Sequence, residues 1–407
     1  MTTGSTPGYQ NRLILLLTLS FGFVFLDRNA FSYLAPFIAD PEKGLGLTNT
    51  QIGLLTSALS FTWALSAYVI GRISDSTGKR KGLLLVAFVA FSLSSVLSGV
   101  AQTFAMLLAA RLIMGLAEGP ILPISQSLVV LETTEKNRGH AMGVMQNFGS
   151  NFIGSFVAPL LVVAVATHWN WRVAFFVCAV PGLVMAALMS KYVREPQVPP
   201  PVAGEATSMG IFQMLSVRNI WLCVLICCAM VAWMVLGWAF LPLFYTGVRH
   251  LDPAAMSQLM SVLGLSAAGF AFVVPRLSDR FGRRPVIVAF CLIGALVPIA
   301  ALYYQGPLWI LGVLIFLGWS ASGAMPILMA TIPAETLPLR YLASATGLVV
   351  GLGEIIGGVS APTVAGRAAD LYGLEAPLYI QAGCAVLAAL IALGLKETAP
   401  ARAAKPG

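Results

Sequence analysis

Apolar stretches of about 20 residues, the length that crosses a bilayer as an α-helix, recur along the chain between short polar or Gly/Pro-rich breaks. They lie near residues 13–36, 51–70, 83–103, 105–131, 139–166, 173–191, 219–246, 255–275, 286–304, 308–333, 341–365 and 377–395, and predict twelve transmembrane helices. One long polar stretch interrupts the series. Arg194 to Ser216 contains VREPQVPPPVAGEATS, with prolines and few apolar residues, and this predicts a flexible cytoplasmic linker. The expected organisation is a six-helix bundle over 1–193, the linker over 194–216 and a second six-helix bundle over 217–407.

Composition points the same way. The chain is 58% hydrophobic and 10% charged, whereas a soluble domain carries about 25% charged residues. The fold class is therefore an all-α membrane protein, with the lipid bilayer as its surroundings. A net charge of +8 would suggest nucleic acid in a soluble protein, but its placement speaks against such a partner. With the N-terminus in the cytoplasm, 18 of the 24 Lys and Arg residues fall on the cytoplasmic side; Lys43, Arg172, Arg249 and Arg367 fall outside, and Arg28 and Arg111 lie within helices. Positive residues collect in cytoplasmic loops, so both termini are expected inside, in an inner (plasma) membrane. The first apolar run is too long, and at Asp27 too charged, for a signal peptide, and reads as a retained helix. The six cysteines fall in apolar runs with no zinc or disulfide spacing, and are expected to be small packing residues. His140, His168 and His250 sit at helix ends or loops. No metal, cofactor or nucleophile–base set is expected, hence no enzyme.

The halves repeat. Gly71-Arg-Ile-Ser-Asp75-Ser-Thr-Gly78-Lys-Arg-Lys81 recurs as Pro275-Arg-Leu-Ser-Asp279-Arg-Phe-Gly282-Arg-Arg-Pro285 at an offset of 204, and Glu132 to Pro159 matches Glu335 to Pro362 at 203. A tandem repeat of six-helix halves predicts a substrate site between them, near mid-membrane.

Five ionisable residues lie well inside the predicted helices: Asp27, Arg28, Arg111, Glu118 and Glu354. A charge there costs several kcal/mol, so each is a functional candidate by default. Asp27 and Arg28 sit in LILLLTLSFGFVFLDRNAFSYLAP. They mark either the outer end of a short first helix or a buried pair, and the apolar continuation from Asn29 to Pro36 favours burial. Arg111 and Glu118 are two turns apart on one face of the fourth helix, with Cα atoms roughly 10 Å apart. They are expected to meet the first helix rather than each other, or to serve as a structural pair, and Gly115, Gly119 and Pro120 allow close packing and a bend. Glu354, aligned with Asn151 of the first half, reads either as a functional acid or as a packed, protonated one. Polar groups that could orient a ligand are Gln146, Asn147, Asn151, Trp233, Trp238, Trp319, Ser320 and Ser322, the aromatics among them reading more readily as packing.

A carboxyl group in a low-dielectric cavity can hold a proton near neutral pH. Arginine cannot lose its charge and binds carboxylates bidentately. An acid beside an arginine can therefore alternate between pairing with it and carrying a proton while substrate takes the arginine. Asp27, Glu118 and Glu354 are the proton-coupling candidates on this basis. Arg28 is expected to bind a substrate carboxylate, with Arg111 tied mainly to Glu118 or to the first helix.

The repeated GxxxDxxGRR-type loop resembles the signature of the major facilitator superfamily, and the resemblance covers essentially the whole chain. It implies two six-helix bundles related by a pseudo-two-fold axis along the membrane normal. It also implies that Gly71, Asp75, Gly78 and Arg80, with Asp279, Arg280, Gly282 and Arg283, latch the cytoplasmic side in one state. Gly71 and Gly78 would permit tight turns and close helix approach. Asp75 would accept hydrogen bonds from a helix N-terminus or pair with arginine. The combination of DRN in the first helix, RxxxGxxEGPxxP in the fourth and WNWRVAFF at Trp169 to Phe176 resembles the anion–cation symporter family of sialin-like, galactonate and hexuronate transporters. That resemblance implies proton coupling and carboxylate binding at Asp27, Arg28, Arg111 and Glu118. Phe21, Phe23 and Phe25 stand where sugar-acid carriers tend to place hydroxyl-bearing aromatics, which weighs against a strongly hydroxylated substrate.

The expected function is a monomeric, proton-coupled symporter importing a small organic anion, with that anion and protons as its partners. One alternative is a proton-driven efflux antiporter. Such antiporters carry GxxxGPxxGG in the fifth helix, and this chain has no Pro after Gly154. Another is a transport-inactive sensor or scaffold, which the retained buried charges disfavour.

Overall fold

The computed structural model describes residues 7–133, 141–195, 210–338 and 341–399. Among these residues, twelve helices are long and apolar enough to span a membrane: α1 (Gly8–Ala39), α2 (Asn49–Gly71), α3 (Arg80–Val100), α4 (Phe104–Glu132), α5 (Ala141–His168), α6 (Trp171–Tyr192), α7 (Arg218–Gly247), α8 (Pro253–Phe281), α9 (Arg283–Tyr303), α10 (Leu308–Thr336), α11 (Ser344–Tyr372) and α12 (Glu375–Ala392). Every predicted stretch has its helix, so the all-α, twelve-span class stands. Outward-facing side chains such as Val86, Leu93 and Leu390 are large, apolar and exposed, as a lipid-facing surface requires.

Caps set where several spans begin. Thr48 accepts from the Gln51 amide in a capping box ahead of α2. Thr103 accepts from Met106 ahead of α4, and Asn170 from Val173 ahead of α6. Each cap satisfies an amide that the first helical turn leaves without a partner. The α2 helix continues to Thr77 and stops at Gly78, whose φ of 68° is left-handed, a conformation that costs glycine nothing. Gly71 behaves differently from expectation. It lies inside that helix and a Cβ added there would meet nothing within 4 Å, so it makes neither a turn nor a close approach.

Among the described residues, three spans contain stretches wound more widely than an α-helix. In α5, Val144–Val157 is π-helical, and in α11 so is Glu354–Ser360. Under the offset of 203, residues 151–157 correspond to 354–360, so both repeats widen at one place. Extended π winding is uncommon and tends to mark functional positions. In α10, a 3-10 turn at Ser320–Ala324 and a π turn at Ile327–Thr331 flank Pro326.

The chain forms two compact units, Met1–Pro201 with Leu251–Gly264 and Val202–His250 with Leu265–Gly407. In the first, Leu13 and Leu17 of α1, Phe88 and Phe91 of α3, Leu128 of α4 and Met185 and Met189 of α6 share a buried core. Most of the expected linker, residues 196–209, lies outside the described residues, as do Lys136, Arg138 and His140 of the loop after α4, and Arg340. Its last part departs from the flexible reading: Ile211–Ser216 is a short helix. Met214 is buried there with Ile220 and Ala345, an apolar anchor that the surrounding prolines obscured.

Candidate functional site

The first unit gathers four of the five charges that lie inside the spans, three of them buried. On α1, Asp27 is 0% exposed and Arg28 half-buried. Adjacent helical positions point about 100° apart, so the two side chains enter different surroundings. Asp27 faces α3, where the Ser95 hydroxyl donates to its Oδ1 at 2.7 Å. Its Oδ2 is buried without a hydrogen-bond partner among the described residues. The Arg28 guanidinium lies over the Trp63 ring of α2 at 5.0 Å and over Phe25, one turn back, at 5.8 Å. Stacking uses the faces of the guanidinium and leaves its N–H edge for an anion.

Arg111 and Glu118 are both buried on α4. Arg111 reaches the first helix by its backbone: Nη2 donates to the Arg28 carbonyl at 3.2 Å, and the guanidinium sits over Phe31 at 4.7 Å. Its Nη1 points at the Met114 sulfur at 3.2 Å. Both Glu118 oxygens are buried and without hydrogen-bond partners among the described residues. Arg28, Asp27 and Arg111 all lie within electrostatic reach of that carboxyl. The arrangement is thus two acids and two permanent cations clustered without a closed ion pair, with the arginine of α4 held by backbone and ring. α4 can lie this close because Gly115 faces Thr62 Oγ1 and the Leu59 carbonyl of α2, where a Cβ would come within 2.1 and 2.4 Å.

On α5, Gln146, Asn147 and Asn151 are half-buried within the π-wound stretch, which sets them on the segment that packs along α1. Asn29 of α1 ties the two helices, donating to the Gly154 carbonyl at 3.1 Å and to Ser155 Oγ at 3.4 Å.

In the second unit, Glu354 is half-buried at the start of the π turn of α11. Trp238 packs edge-on against Trp319, ring centres 5.2 Å apart. Trp319 packs in turn against Trp233, the rings tilted by 32° with centres 4.6 Å apart, and Trp233 Nε1 donates to the Gly294 carbonyl at 3.0 Å. Trp233 and Trp319 are fully buried packing residues, whereas Trp238 is half-buried. Ser322 sits in the 3-10 turn of α10 with its Oγ buried and without a hydrogen-bond partner among the described residues.

The loop residues form separate networks. The Asp75 side chain lies outside the described residues. Arg80 is buried and its Nε donates to Ser127 Oγ at 2.7 Å. Arg283 bonds Asp279, Ser278 Oγ at 2.6 Å and, bidentately, Glu335, with Nη2 to Oε1 at 2.7 Å. Arg280 is exposed over Phe281, and Gly282 turns the chain with φ 100°. The aspartate of the second loop pairs with arginine and does not cap a helix. The caps come from elsewhere: Glu195 accepts from the amides of Lys81 (2.9 Å) and Gly82 (3.4 Å), and Glu397 from those of Arg283 (2.7 Å) and Arg284 (3.2 Å). A carboxylate at a helix N-terminus meets both free amides and the positive end of the dipole.

Sequence reasoning missed Ser95, Trp63, Phe31, Glu195 and Glu397. Only the last two left a signal: each follows the final span of its half at nearly the repeat offset, in YVREP and GLKET.

A model of the Major Facilitator Superfamily matches residues 17–353. The chain is 27% identical to a probable 4-methylmuconolactone transporter of Cupriavidus pinatubonensis, over 81% of this chain and 77% of that one. It is also 27% identical to the multidrug resistance protein MdtG of Serratia proteamaculans, over 88% of each. A hexuronate transporter of Bacillus subtilis is 35% identical over 45% of this chain and 42% of that one. Among solved structures, a bacterial homolog to the human lysosomal transporter Spinster, inward-facing and unoccupied, superposes with a TM-score of 0.76 at 20% identity, covering 96% of each chain.

Proposed function

The chain belongs to the Major Facilitator Superfamily and is a transporter rather than an enzyme; from that premise we propose that it imports a small organic carboxylate together with protons. The observation that carries the reading is Arg28. Its guanidinium is half-buried, stacked on Trp63 and Phe25, and has no hydrogen-bond acceptor or ion pair among the described residues. Charge accounting then links proton to anion. With Asp27 and Glu118 both ionised, the two acids balance Arg28 and Arg111. A proton on Asp27 leaves one cation in excess, and a carboxylate at Arg28 restores the balance. Each binding event favours the other, which is the thermodynamic requirement for symport. Two relatives are named for 4-methylmuconolactone and hexuronate, and the second name is that of a carboxylate.

The test is uptake into liposomes with an alkaline interior and the membrane potential held at zero, offering labelled hexuronates, muconolactones, aromatic acids and small monocarboxylates. With one proton per anion, a gradient of one pH unit supports about tenfold accumulation. A second reading, proton-driven export, draws on the likeness to MdtG. Expulsion of cationic drugs with no gradient-driven carboxylate uptake would establish export and end the import reading.

We place both termini in the cytoplasm, on the distribution of Lys and Arg. A C-terminal alkaline phosphatase fusion is expected to be inactive and a fluorescent-protein fusion bright. The reverse pattern overturns the topology.

A further inference from the structure

Ser95 differs from its neighbours on α3. Ser94 and Ser98 donate to the carbonyls four residues back, Ala90 at 2.8 Å and Ser94 at 2.9 Å, the ordinary way a serine satisfies itself in a membrane helix. Ser95 forgoes that bond. Its Oγ lies 2.7 Å from Asp27 Oδ1 on α1 and 3.0 Å from the Phe175 carbonyl on α6. It is 0% exposed, as is Asp27, so no bulk water competes. A hydroxyl has one proton and cannot donate to both oxygens at once.

We propose that Ser95 is a positioning residue that reads the protonation state of Asp27 and passes it to the backbone of α6. With Asp27 ionised, Ser95 donates to the carboxylate and the Phe175 carbonyl keeps only its helical bonds. With Asp27 protonated, the acid O–H donates to Ser95 Oγ, and the hydroxyl proton turns to the Phe175 carbonyl. Both forms keep every donor paired, and the change between them requires rotation about one C–O bond. Protonation thereby adds one hydrogen bond between α3 and α6. These helices are already packed to contact: a Cβ at Gly99 would come within 2.5 Å of the Phe176 ring, and one at Gly182 within 2.1 Å of Ser92 Oγ.

The other ionisable groups bearing on Asp27 are Arg111 and Glu118 of α4 and the Cys178 thiol of α6; Arg28 is its neighbour in sequence on α1 and turns to Trp63 and Phe25. At that level α3 and α5 contribute no charged side chain. Arg111 acts on Asp27 whether or not Ser95 is present, so removing the hydroxyl isolates its own contribution.

The proposal rests on the role given to Asp27 above, and its test uses no transport. Purified protein in lipid is titrated by infrared difference spectroscopy, following the protonated-carboxyl C=O band that vanishes in Asp27→Asn. In Ser95→Ala, the midpoint of that band is expected to move up by about one pH unit, since the ionised form loses a charge-assisted hydrogen bond roughly twice as strong as the neutral one that the protonated form loses. Its frequency rises because the acid loses its acceptor. Ser95→Thr restores both toward wild type, and Ser95→Cys, a weaker donor, gives a smaller shift of the same sign, which serves if the alanine protein does not fold. An unchanged midpoint and frequency in a folded Ser95→Ala protein overturns the proposal, as does the lack of any Asp27-dependent band. Failure of proton-driven uptake in liposomes would leave this titration standing, so the two readings fail separately.

Discussion

Arg28→Lys is expected to bind the substrate carboxylate roughly 10- to 150-fold more weakly than wild type, a loss of about 1.5–3 kcal/mol for a charge-assisted contact. Lysine keeps the charge but not the planar fork, and it cannot stack on Trp63 and Phe25 while presenting two parallel N–H groups. Arg111→Lys is expected to act differently. The Arg111 guanidinium is committed to the Arg28 carbonyl and the Phe31 face, so its replacement loosens α4 from α1. That lowers the melting temperature more than it lowers affinity. Calorimetric titration with the carboxylate identified by liposome uptake, alongside thermal unfolding of both variants, separates the two. Wild-type affinity in Arg28→Lys with lost affinity in Arg111→Lys would reverse the roles assigned to the arginines.

Asp27→Asn is expected to abolish accumulation, bringing internal and external substrate to a ratio near one, while exchange of labelled for unlabelled substrate continues. Asparagine has the shape of a neutral aspartic acid, and its amide N–H can donate to Ser95 Oγ as the protonated acid does, across the contact that is 2.7 Å in the native protein. The site is then locked in the proton-loaded charge state. Substrate can bind and cross, but no proton is taken up or released to drive it. Accumulation of substrate by Asp27→Asn at the wild-type ratio under the same pH gradient would remove Asp27 from the coupling.

The twelve spans were legible because the bilayer writes its thickness into composition: about 20 apolar residues per crossing, with breaks between. The charges inside the spans were legible for a related reason. Lipid makes each one costly, so Asp27, Arg28, Arg111, Glu118 and Glu354 stand out from the apolar runs around them. The repeat was visible as two loops offset by 204 residues. Which face of each helix meets which neighbour was not written there. Asp27 meets Ser95 across 68 residues, and Arg111 meets the Arg28 carbonyl across 83. Such pairings depend on the rotation of each helix about its axis and on the closeness that residues such as Gly115 allow, neither of which leaves a mark in local hydropathy. The backbone carbonyl that takes Arg111 is also invisible to any pattern of side chains. The π winding of α5 and α11 is hidden for the same reason, since a five-residue hydrogen bond needs no distinctive residue and is settled by packing. The sequence by itself determined the membrane class, the spans and which charges lie inside them. The tertiary structure alone decided which of those charges is already held and which is open, because that depends on contacts made between helices far apart in the chain.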